Sequence, residues 1–391
     1  MKASHNHRHN KQRVEEKETK LDKSTTEEVL PGFSQDRILG RGCFGAVWTF
    51  NLQPNDKQEE KEKQQRKLAS ISEKLDQAQS PKQNMMLSLK VSSFKNDKEG
   101  RFLDSYLREV YFLRELRKLR TGLVPALFQD RRVIDETKAD KGKGIQMMER
   151  YDGNAKQLGS MQATLLLGIN ESKTTVYAFT WFQLEQLMYL AKRLDAMGLI
   201  HGDFKLSNLL YRKFTHTKKP LQNSTGTSNH EIKYEFRVCD FGFSGYVDPA
   251  KSPYQPLNGF LGNFGCSTDR VCTWKSDGKG GSIANFQLKT PIPKLLQPIF
   301  NQCQLYVSLM ECSRLCVFDA QNHKNRVDKT HAIRKLLRDH LGMTDQVLKS
   351  LYGYCPKLKR CLPRALRSKK KHGKKHQSSS TSSSSSSAPP K

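Results

Sequence analysis

The chain has 391 residues, with 67 Lys or Arg against 39 Asp or Glu, so its formal net charge at pH 7 is +28. This charge favours polyanionic partners such as nucleic acid, anionic membrane surfaces or acidic proteins, and a basic enzyme acting on acidic substrates explains it equally well. The mean hydropathy of −0.71 predicts a globular middle with polar extensions, and no run reaches the roughly 20 apolar residues of a membrane span.

The cysteines and the N-terminus indicate the compartment. Nine cysteines are scattered along the chain without a CxxC pair, which argues against structural zinc. Residues 1–7 lack the apolar stretch of a secretory signal. We therefore expect free thiols in a reducing compartment rather than disulfides. The expected location is intracellular, in the cytoplasm or the nucleus.

The first predicted elements are a tail and a hairpin. Residues 1–32 are rich in His, Lys and Glu and are predicted to be disordered. In residues 33–50, alternating apolar positions flank a GxGxxG turn made by Gly40, Gly42 and Gly45. A dinucleotide-binding fingerprint would need a helix after the third glycine, but the residues that follow are β-branched and aromatic, which favours a strand. We predict a glycine-tipped hairpin whose backbone amides can approach phosphate oxygens.

The hairpin carries two apolar side chains that bear on a ligand. Phe44 can cap the tip and Val47 can pack on a base. Residues 51–84, which follow, are mostly Gln, Lys, Glu and Asp with little apolar face. We predict that they form an exposed, partly helical insertion between strands.

A lysine follows in an apolar strand. Residues 84–92 predict this strand, with Lys90 near its end, and a lysine in a buried strand is costly unless it is paired. The amphipathic helix predicted for about residues 103–120 offers two partners, Glu109 and Glu115. We favour Glu109 because it lies beside the apolar stripe, with Glu115 as the alternative. An ordinary surface lysine and an unconnected glutamate are the simpler interpretation.

Two more strands are predicted within residues 123–148, and the chain then turns at Asp152-Gly153. A long amphipathic helix is predicted for residues 179–199, with Phe182 on its apolar face. It leads directly into a polar motif.

The motif in residues 201–208 has the composition of a phosphoryl-transfer site. It places Asp203, Lys205 and Asn208 between apolar flanks. Phosphoryl transfer needs an acceptor for the hydroxyl proton, a cation near the moving phosphate and a metal ligand, and the motif has one residue for each. His-Gly-Asp can also be a plain polar turn, so the motif alone leaves both interpretations open.

The rest of the chain has one further candidate ligand. Residues 234–243 predict a strand that ends at Asp240, and a carboxylate at a strand end followed by glycine suits a hard metal. Residues 243–298 predict a long irregular segment, and residues 305–318 and 330–352 predict helices.

The C-terminal tail is polybasic and rich in serine. Residues 357–376 contain ten Lys or Arg and no acid, and a serine run follows. The tail is predicted to be disordered. It suits contact with a polyanion such as nucleic acid, a nuclear-import signal, or a solubilising role.

Taken in order, these motifs resemble the eukaryotic-type protein kinase family over roughly residues 33–355. The resemblance rests on the glycine-rich loop Gly40 to Val47, Lys90, Glu109, the catalytic loop His201 to Asn208, and Asp240-Phe241-Gly242. It implies an α+β, bilobal fold with a β-rich N-lobe and a mainly helical C-lobe. The implied parts are a disordered tail 1–32, an N-lobe 33–148 with insertion 51–84, a C-lobe 149–356 and a disordered tail 357–391.

The resemblance also implies catalytic roles. Lys90, paired with Glu109, would hold the α- and β-phosphates of ATP. Asp203 would accept the proton of the substrate hydroxyl, and Lys205 would steady the γ-phosphate. The metal ligands for Mg²⁺, or Mn²⁺ in its place, would be Asn208 and Asp240.

The same resemblance implies an ATP pocket. Val47 and Leu210 would sandwich the adenine, Met148 would gate the back of the pocket, and Glu149 to Tyr151 would form the hinge. The residues implied in nucleotide binding are Gly40, Arg41, Gly42, Cys43, Phe44, Gly45, Val47, Ser88, Lys90, Met148, Glu149, Tyr151 and Leu210.

The expected activity is therefore an ATP-dependent serine/threonine protein kinase, with a protein as substrate. Within the family Lys205 points to serine or threonine, and related small-molecule phosphotransferases usually lack such a lysine. Three alternatives remain: a small-molecule phosphotransferase with a kinase-like fold, a pseudokinase scaffold, and a nucleic-acid-binding protein built on residues 357–376.

The chain departs from the family in three places. Gly202 stands where many members have arginine, so no cation beside Asp203 would receive an activation-loop phosphate, and switching by that route is not expected. No clear Ala-Pro-Glu follows, although residues 265–269 or 290–293 can be compared with it. Gln304 replaces an aspartate that usually braces the catalytic loop, and we expect weaker bracing. Such divergence is found in fast-evolving kinases such as those of large DNA viruses.

Overall fold

The computed structural model describes residues 33–42, 45–52, 87–94, 97, 100–134, 142–168, 176–217, 230–276, 282–311, 314–318 and 330–361. The predicted tail 1–32, nearly all of the insertion 51–84 and residues 362–391 lie outside these residues, as do Cys43 and Phe44 at the hairpin tip. The described part mixes helices with several sheets, in agreement with the expected α+β class.

The first part of the chain forms a five-stranded antiparallel sheet in the order β1-β2-β3-β5-β4. Its strands are β1 (Phe33–Gly42), β2 (Gly45–Leu52), β3 (Leu87–Ser93), β4 (Leu127–Ile134) and β5 (Gly142–Glu149). Strands β1 and β2 pair from Phe33 opposite Leu52 to Gly42 opposite Gly45. The prediction of a glycine-tipped hairpin is therefore confirmed.

The two faces of this sheet differ because side chains alternate along each strand. Trp48, Leu89 and Met147 are buried on one face in a small apolar cluster. The opposite face carries Val47 directly across from Lys90. The alternation of side chains thus gives the sheet one apolar face and one face that carries the charged Lys90.

Helix α1 (Arg101–Lys118) covers the face of the sheet that carries Lys90. Asp97 caps its start, since Oδ2 accepts hydrogen bonds from the amides of Phe102 at 2.7 Å and Leu103 at 3.0 Å. Val110, Leu113 and Leu116 of the predicted apolar stripe are buried, whereas Leu119 is 58% exposed. The helix ends at Lys118, so Leu119 lies beyond its buried face.

The rest of the described chain combines helices with strands of two to nine residues. The helices are α2 (Ala155–Leu167), α3 (Trp181–Ala196), α4 (Phe300–Met310), α5 (Thr330–His340), α6 (Asp345–Tyr354) and α7 (Leu358–Cys361). The strands are β6 (Gly153–Asn154), β7 (Val176–Thr180), β8 (Leu199–Ile200), β9 (Leu209–Thr217), β10 (His230–Val238), β11 (Gly245–Tyr246), β12 (Arg270–Ser276), β13 (Ser282–Leu288) and β14 (Arg314–Phe318).

Several predicted elements are corrected. Residues 270–276 and 282–288, expected to be irregular, pair as the hairpin β12–β13. The helix predicted for 305–318 ends at Met310, and β14 pairs in parallel with β7. The helix predicted for 330–352 is two helices, α5 and α6, because Gly342 takes a left-handed φ of 67°.

Helix α3 begins at Trp181 after a capping box in which Thr180 and Gln183 exchange side-chain and backbone hydrogen bonds. Phe182, predicted on its buried face, is exposed instead. None of the helices in the described ranges is both long and apolar enough to cross a membrane.

One large apolar core joins α1 to the helical part of the chain. The rings of Phe112 on α1 and Phe241 lie 6.4 Å apart in a stacked arrangement. Because α1 also covers the sheet, a shift of this helix would move groups in both regions.

A disulfide corrects the expectation that all cysteines are free. Cys266 is bonded to Cys355, which lies 89 residues later at the end of α6. The backbone nearby is also joined, since the Lys357 amide donates to the Phe264 carbonyl at 2.9 Å. Leu358 is also buried, so the chain still contacts the fold at this point, although a tail was predicted from residue 357.

Candidate functional site

Lys90 joins three separated segments at the centre of the candidate site. Its Nζ lies 2.7 and 2.9 Å from the carboxylate oxygens of Glu109 on α1, and 3.0 Å from Oδ1 of Asp240, just after β10. The alternative partner, Glu115, instead bonds Lys118 on the outer side of α1 at 2.8 Å. The structure therefore pairs Lys90 with Glu109 and adds Asp240 to the pair.

The charges of this cluster support one another. Burial alone would lower the pKa of Lys90, but the charges of Asp240 and Glu109 raise it above its ordinary value. Burial acts to raise the pKa of Asp240, yet Lys90 outweighs it and the pKa lies below its ordinary range. Lys90 is thus an ammonium and Asp240 a carboxylate at neutral pH, and removing one partner of such a buried pair costs about 3–5 kcal/mol.

Asp203 lies nearby with two groups bonded to it. Its Oδ2 accepts hydrogen bonds from Lys205 Nζ at 2.7 Å and from Asn208 Nδ2 at 3.0 Å. A single 3₁₀ turn, Leu206–Asn208, brings Asn208 back toward Asp203. The three polar residues of the motif are therefore one hydrogen-bonded group rather than three points on an open turn.

The environment of Asp203 changes its acidity. Burial raises its pKa to about 6, while the charge of Lys205 acts to lower it. A carboxylate with this pKa is ionised at neutral pH and is a stronger base than an exposed aspartate. The arrangement suits the acceptance of a proton.

Asp240 has an unusual backbone conformation. Its φ of 68° is left-handed, which is uncommon for a residue other than glycine. Such strain, of order 1–3 kcal/mol, persists only where neighbouring contacts fix the residue. The Asp240 carboxylate bonds Lys90, and the next side chain, Phe241, is buried against the ring of His201 at 4.8 Å.

Helix α4 braces the motif through three polar side chains. Gln304 Nε2 donates to the Gly202 carbonyl at 2.8 Å, and its Oε1 accepts from the Phe204 amide at 3.1 Å. Asn301 Oδ1 accepts from the His201 amide at 2.8 Å, and Ser308 Oγ accepts from the amide of Leu206 at 3.1 Å. Gln304 thus holds the backbone on both sides of Asp203 through its amide, and weaker bracing than by an aspartate stays a prediction.

A buried carboxylate holds Asn301 in turn. Asp195 Oδ1 accepts from the amide of Asn301 at 3.0 Å and from its side chain at 2.8 Å. Burial raises the pKa of Asp195 to about 7, against the lowering effect of these and further hydrogen bonds from Gln302. The chain of contacts from Asp195 through Asn301 fixes the position at which the motif begins.

Gly202 is packed directly against backbone. Its φ is 79°, and a Cβ there would lie 2.4 Å from the Leu257 carbonyl oxygen and 2.6 Å from that of Phe243. Its own carbonyl accepts from the Gly259 amide at 2.9 Å. A larger residue, such as the arginine common in the kinase family, has no room at this position.

His201 is held as a neutral ring. Its Nδ1 accepts from the Asp203 amide at 3.2 Å and its Nε2 lies 2.9 Å from the Cys239 carbonyl, so the proton belongs on Nε2. Burial lowers its pKa to about 4. His201 therefore supports the backbone beside Asp203 and does not take part as a cation.

The residues predicted to surround a nucleotide lie on one side of the sheet or just beyond it. Val47 stands opposite Lys90, and Ser88 stands opposite Met148, so these four side chains share a face. Ser88 Oγ lies 3.4 Å from the carbonyl oxygens of Met148 and Glu149. This face is continuous with the Lys90 cluster.

The other predicted nucleotide ligands occupy neighbouring positions in the fold. Gly40, Arg41 and Gly42 end β1, while Gly45 begins β2. The predicted contributions of Cys43 and Phe44 fall outside the described residues.

The predicted hinge residues begin at the last residue of β5, Glu149. The Glu149 carboxylate pairs with Arg212 at 2.6 Å, and Tyr151 lies beneath the same guanidinium, 4.4 Å from its centre. Leu210 is in β9, opposite Asn154 of β6. The predicted hinge residues Glu149 and Tyr151 are thus held to β9 through Arg212 by an ion pair and a cation–π contact.

The predicted metal ligands have suitable chemistry. Asn208 turns its Nδ2 toward Asp203, so its Oδ1, the atom a metal would use, points away. Across the described ranges no group of three or more His, Cys, Asp or Glu is arranged to hold a metal ion. One carboxylate and one amide oxygen nevertheless fit Mg²⁺, which usually takes one or two protein carboxylates and completes its shell with substrate phosphates and water.

Sequence reasoning missed some of the supporting residues. Asn301 and Ser308 were not identified, although with Gln304 they repeat at intervals of three and four residues on a largely apolar helix. That spacing places them on one helix face and could have predicted a polar contact. Arg108, next to Glu109, was also overlooked because nothing in the local pattern shows that it is buried.

No protein-family model matches this chain, and no curated protein sequence matches it significantly. We therefore interpret the site from its own residues and contacts.

Proposed function

We propose that the chain is an ATP-dependent serine/threonine protein kinase with two lobes, which transfers the γ-phosphate of Mg-ATP to protein hydroxyl groups. One observation carries this proposal. Lys90 bonds both Glu109 and Asp240, and Asp203 bonds both Lys205 and Asn208. A cation, a base and two metal-binding groups are thereby assembled from distant parts of the chain, as phosphoryl transfer requires.

The proposed lobes correspond to two regions of the fold. Strands β1–β5 and α1 would form the N-lobe, and the remainder of the described chain would form the C-lobe. Lys90 and Glu109 belong to the first region, whereas Asp203 and Asp240 belong to the second. The nucleotide would bind where these groups meet, against the sheet face that carries Val47 and Ser88.

The proposed chemistry assigns a task to each side chain. Lys90, fixed by Glu109, would bind phosphate oxygens through its ammonium group. Asn208 and Asp240 would hold Mg²⁺, which neutralises phosphate charge when bound. Asp203 would orient the substrate hydroxyl and accept its proton, helped by a pKa raised to about 6 by burial.

Lys205 supports the choice of a protein substrate. Its Nζ lies 2.7 Å from Asp203 Oδ2 and its side chain is partly exposed. It can therefore stay beside the base and still reach a phosphate brought by the nucleotide. By the resemblance to the kinase family, a lysine at this position favours serine or threonine over tyrosine and over small-molecule acceptors.

The test measures transfer of labelled phosphate from ATP to one acidic and one basic protein by wild type and Lys90→Met. Lys349→Met is the matched control, because Lys349 is exposed on α6, outside the site. We expect Lys90→Met to lose transfer by at least about 100-fold and Lys349→Met to retain it.

Three outcomes separate the proposal from its rivals. Equal transfer by wild type and Lys90→Met removes Lys90 from the mechanism. Nucleotide binding without transfer by wild type supports a scaffold. Transfer to small hydroxyl compounds but to no protein supports a small-molecule phosphotransferase.

A further inference from the structure

Arg108 is a fully buried arginine whose guanidinium bonds mainly to backbone. Its side chain is 0% exposed, on α1 immediately before Glu109. One nitrogen, Nη1, donates to the carbonyls of Ser244 at 2.8 Å and Gln255 at 2.5 Å. The other, Nη2, donates to the carbonyl of Phe286 at 3.3 Å.

The charge of Arg108 is balanced from its own helix. Asp104, one turn earlier, accepts a hydrogen bond from Nη2 at 3.0 Å and is itself 2% exposed. The Tyr254 ring covers the guanidinium at 4.8 Å. A buried arginine is costly unless its donors and its charge are satisfied. Both Nη atoms of Arg108 and its charge have partners here, while Nε has no hydrogen-bond partner among the described residues.

The three carbonyls belong to the segment that follows Asp240. Ser244 comes four residues after Asp240, Gln255 follows the short 3₁₀ helix Pro249–Lys251, and Phe286 lies in β13. Arg108 therefore gathers three separate stretches of this segment onto α1. Only a planar group with several fixed donors can reach all three; a lysine ammonium has one centre.

The segment is also tied to the Asp203 loop by backbone contacts. Ser244 Oγ donates to the His201 carbonyl at 3.0 Å, and the Gly259 amide donates to the Gly202 carbonyl at 2.9 Å. Because Gly202 leaves no space for a side chain, no cation can enter from that position. The cation that holds the segment comes from α1 instead.

Arg108 and Glu109 are adjacent but face different partners. Glu109 reaches Lys90, whereas Arg108 reaches the segment after Asp240. The same helix also touches that segment at Ser105, whose Oγ occupies the space beside Gly242. A displacement of the segment would therefore move α1 and draw Glu109 away from Lys90.

We propose that Arg108 is a positioning residue that fastens residues 244–259 and β13 to α1 and so keeps Glu109 on Lys90 without phosphorylation of those residues. The inference rests on the proposed kinase function. It concerns how the site is held together: the site is assembled as the chain folds, and a buried arginine takes the place of a phosphate-dependent contact.

The experiment compares the full chain with Arg108→Met and Arg108→Lys. Arg108→Lys keeps the charge beside Asp104 but loses the separate N–H donors of the guanidinium group. Arg114→Met is the matched control, since Arg114 is on the same helix and 59% exposed. The measurements are kcat and KM for ATP, hydrogen exchange of the amides in 244–259, and transfer by wild type before and after phosphatase treatment.

We expect exchange in 244–259 to become at least about tenfold faster in Arg108→Met, with an intermediate effect in Arg108→Lys and none in Arg114→Met. The kcat should fall about tenfold or more, with a smaller change in KM, since the part of the sheet face that carries Val47 and Ser88 is untouched. Phosphatase-treated wild type should keep its activity.

Unchanged exchange and kcat in Arg108→Met overturn the inference, as does loss of wild-type activity on phosphatase treatment. If Arg108→Met does not fold, Arg108→Lys is judged by the same measures. If wild type transfers no phosphate, the kinase proposal fails, and the exchange data alone still decide whether Arg108 holds the segment.

Discussion

Replacing Gln304 with glutamate changes one nitrogen to one oxygen at a fully buried position. In the native protein the side chain donates to the Gly202 carbonyl and accepts from the Phe204 amide. An ionised glutamate can still accept from Phe204, but it turns a second oxygen toward the Gly202 carbonyl at about the native 2.8 Å. A protonated glutamate restores the donor.

The magnitude follows from these two states. A buried carbonyl left without its donor costs about 1–3 kcal/mol, and an unpaired buried charge brings the total to about 3–5 kcal/mol. The carboxyl therefore takes up a proton in the folded state, with a pKa above the ordinary value of about 4.3. A group whose pKa is raised by folding contributes stability below the unfolded pKa and loses it as pH rises toward the folded pKa.

Urea unfolding of Gln304→Glu between pH 5 and pH 8 tests this reasoning. We expect a loss of about 1 kcal/mol at pH 5 and about 3–5 kcal/mol at pH 8, relative to wild type. Gln157→Glu is the control, because Gln157 is exposed and uses only its oxygen, which accepts from the Asn154 amide at 3.0 Å. If Gln304→Glu is as stable as Gln157→Glu at pH 8, the bracing described for α4 is wrong.

Three further predictions follow from the site and the fold. Because burial raises the pKa of Asp203 to about 6, kcat for phosphate transfer should rise with pH through about 6 and then level, and a flat profile from pH 5 to 8 would contradict its role as base. Because burial lowers the pKa of His201 to about 4, the stability that the neutral ring contributes should be fully present above pH 6.5. The free energy of unfolding should fall by up to roughly 3 kcal/mol as pH drops toward 4. The free energy of unfolding of His201→Gln should lack this decrease with falling pH, and an unchanged pH dependence refutes the prediction. Peptide mapping without reductant should find Cys266 joined to Cys355, and reduction should cost about 2–4 kcal/mol, whereas free thiols at both positions would refute the pairing.

The elements best predicted from sequence are those set by local pattern. Glycines between alternating apolar residues indicated the hairpin β1–β2, and helical spacing of apolar residues indicated α1. Glu109 was preferred over Glu115 on the same ground, since a residue beside the buried stripe faces the sheet. The charged residues of the motif were found because their offsets along the chain are short.

Some errors arose although the signal was present. The alternating residues of β12 and β13 surround a glycine-rich stretch, which is a hairpin pattern. Residues 314–318 are apolar enough to extend α4, and a short apolar run does not distinguish helix from strand. Its strand partner, β7, lies far away in the chain, so local pattern could not decide the matter.

Other features could not be predicted because they depend on the assembled fold. Cys266 and Cys355 are 89 residues apart, and nothing in the sequence pairs them. The three carbonyls bound by Arg108 are backbone groups, which have no sequence signature. The contact between Gly202 and the carbonyls of Phe243 and Leu257 explains the glycine only after the backbone is known.

The central claim is that Asp203 acts in phosphate transfer from ATP to serine or threonine. The most direct measurement compares labelled phosphoserine and phosphothreonine formed by wild type and by Asp203→Asn, with nucleotide affinity measured in parallel. Asp339→Asn, an exposed change on α5, serves as control. We predict that Asp203→Asn binds nucleotide like wild type but transfers phosphate about 10²–10⁴-fold more slowly, while Asp339→Asn is unaffected. Equal transfer by wild type and Asp203→Asn would contradict the proposed function.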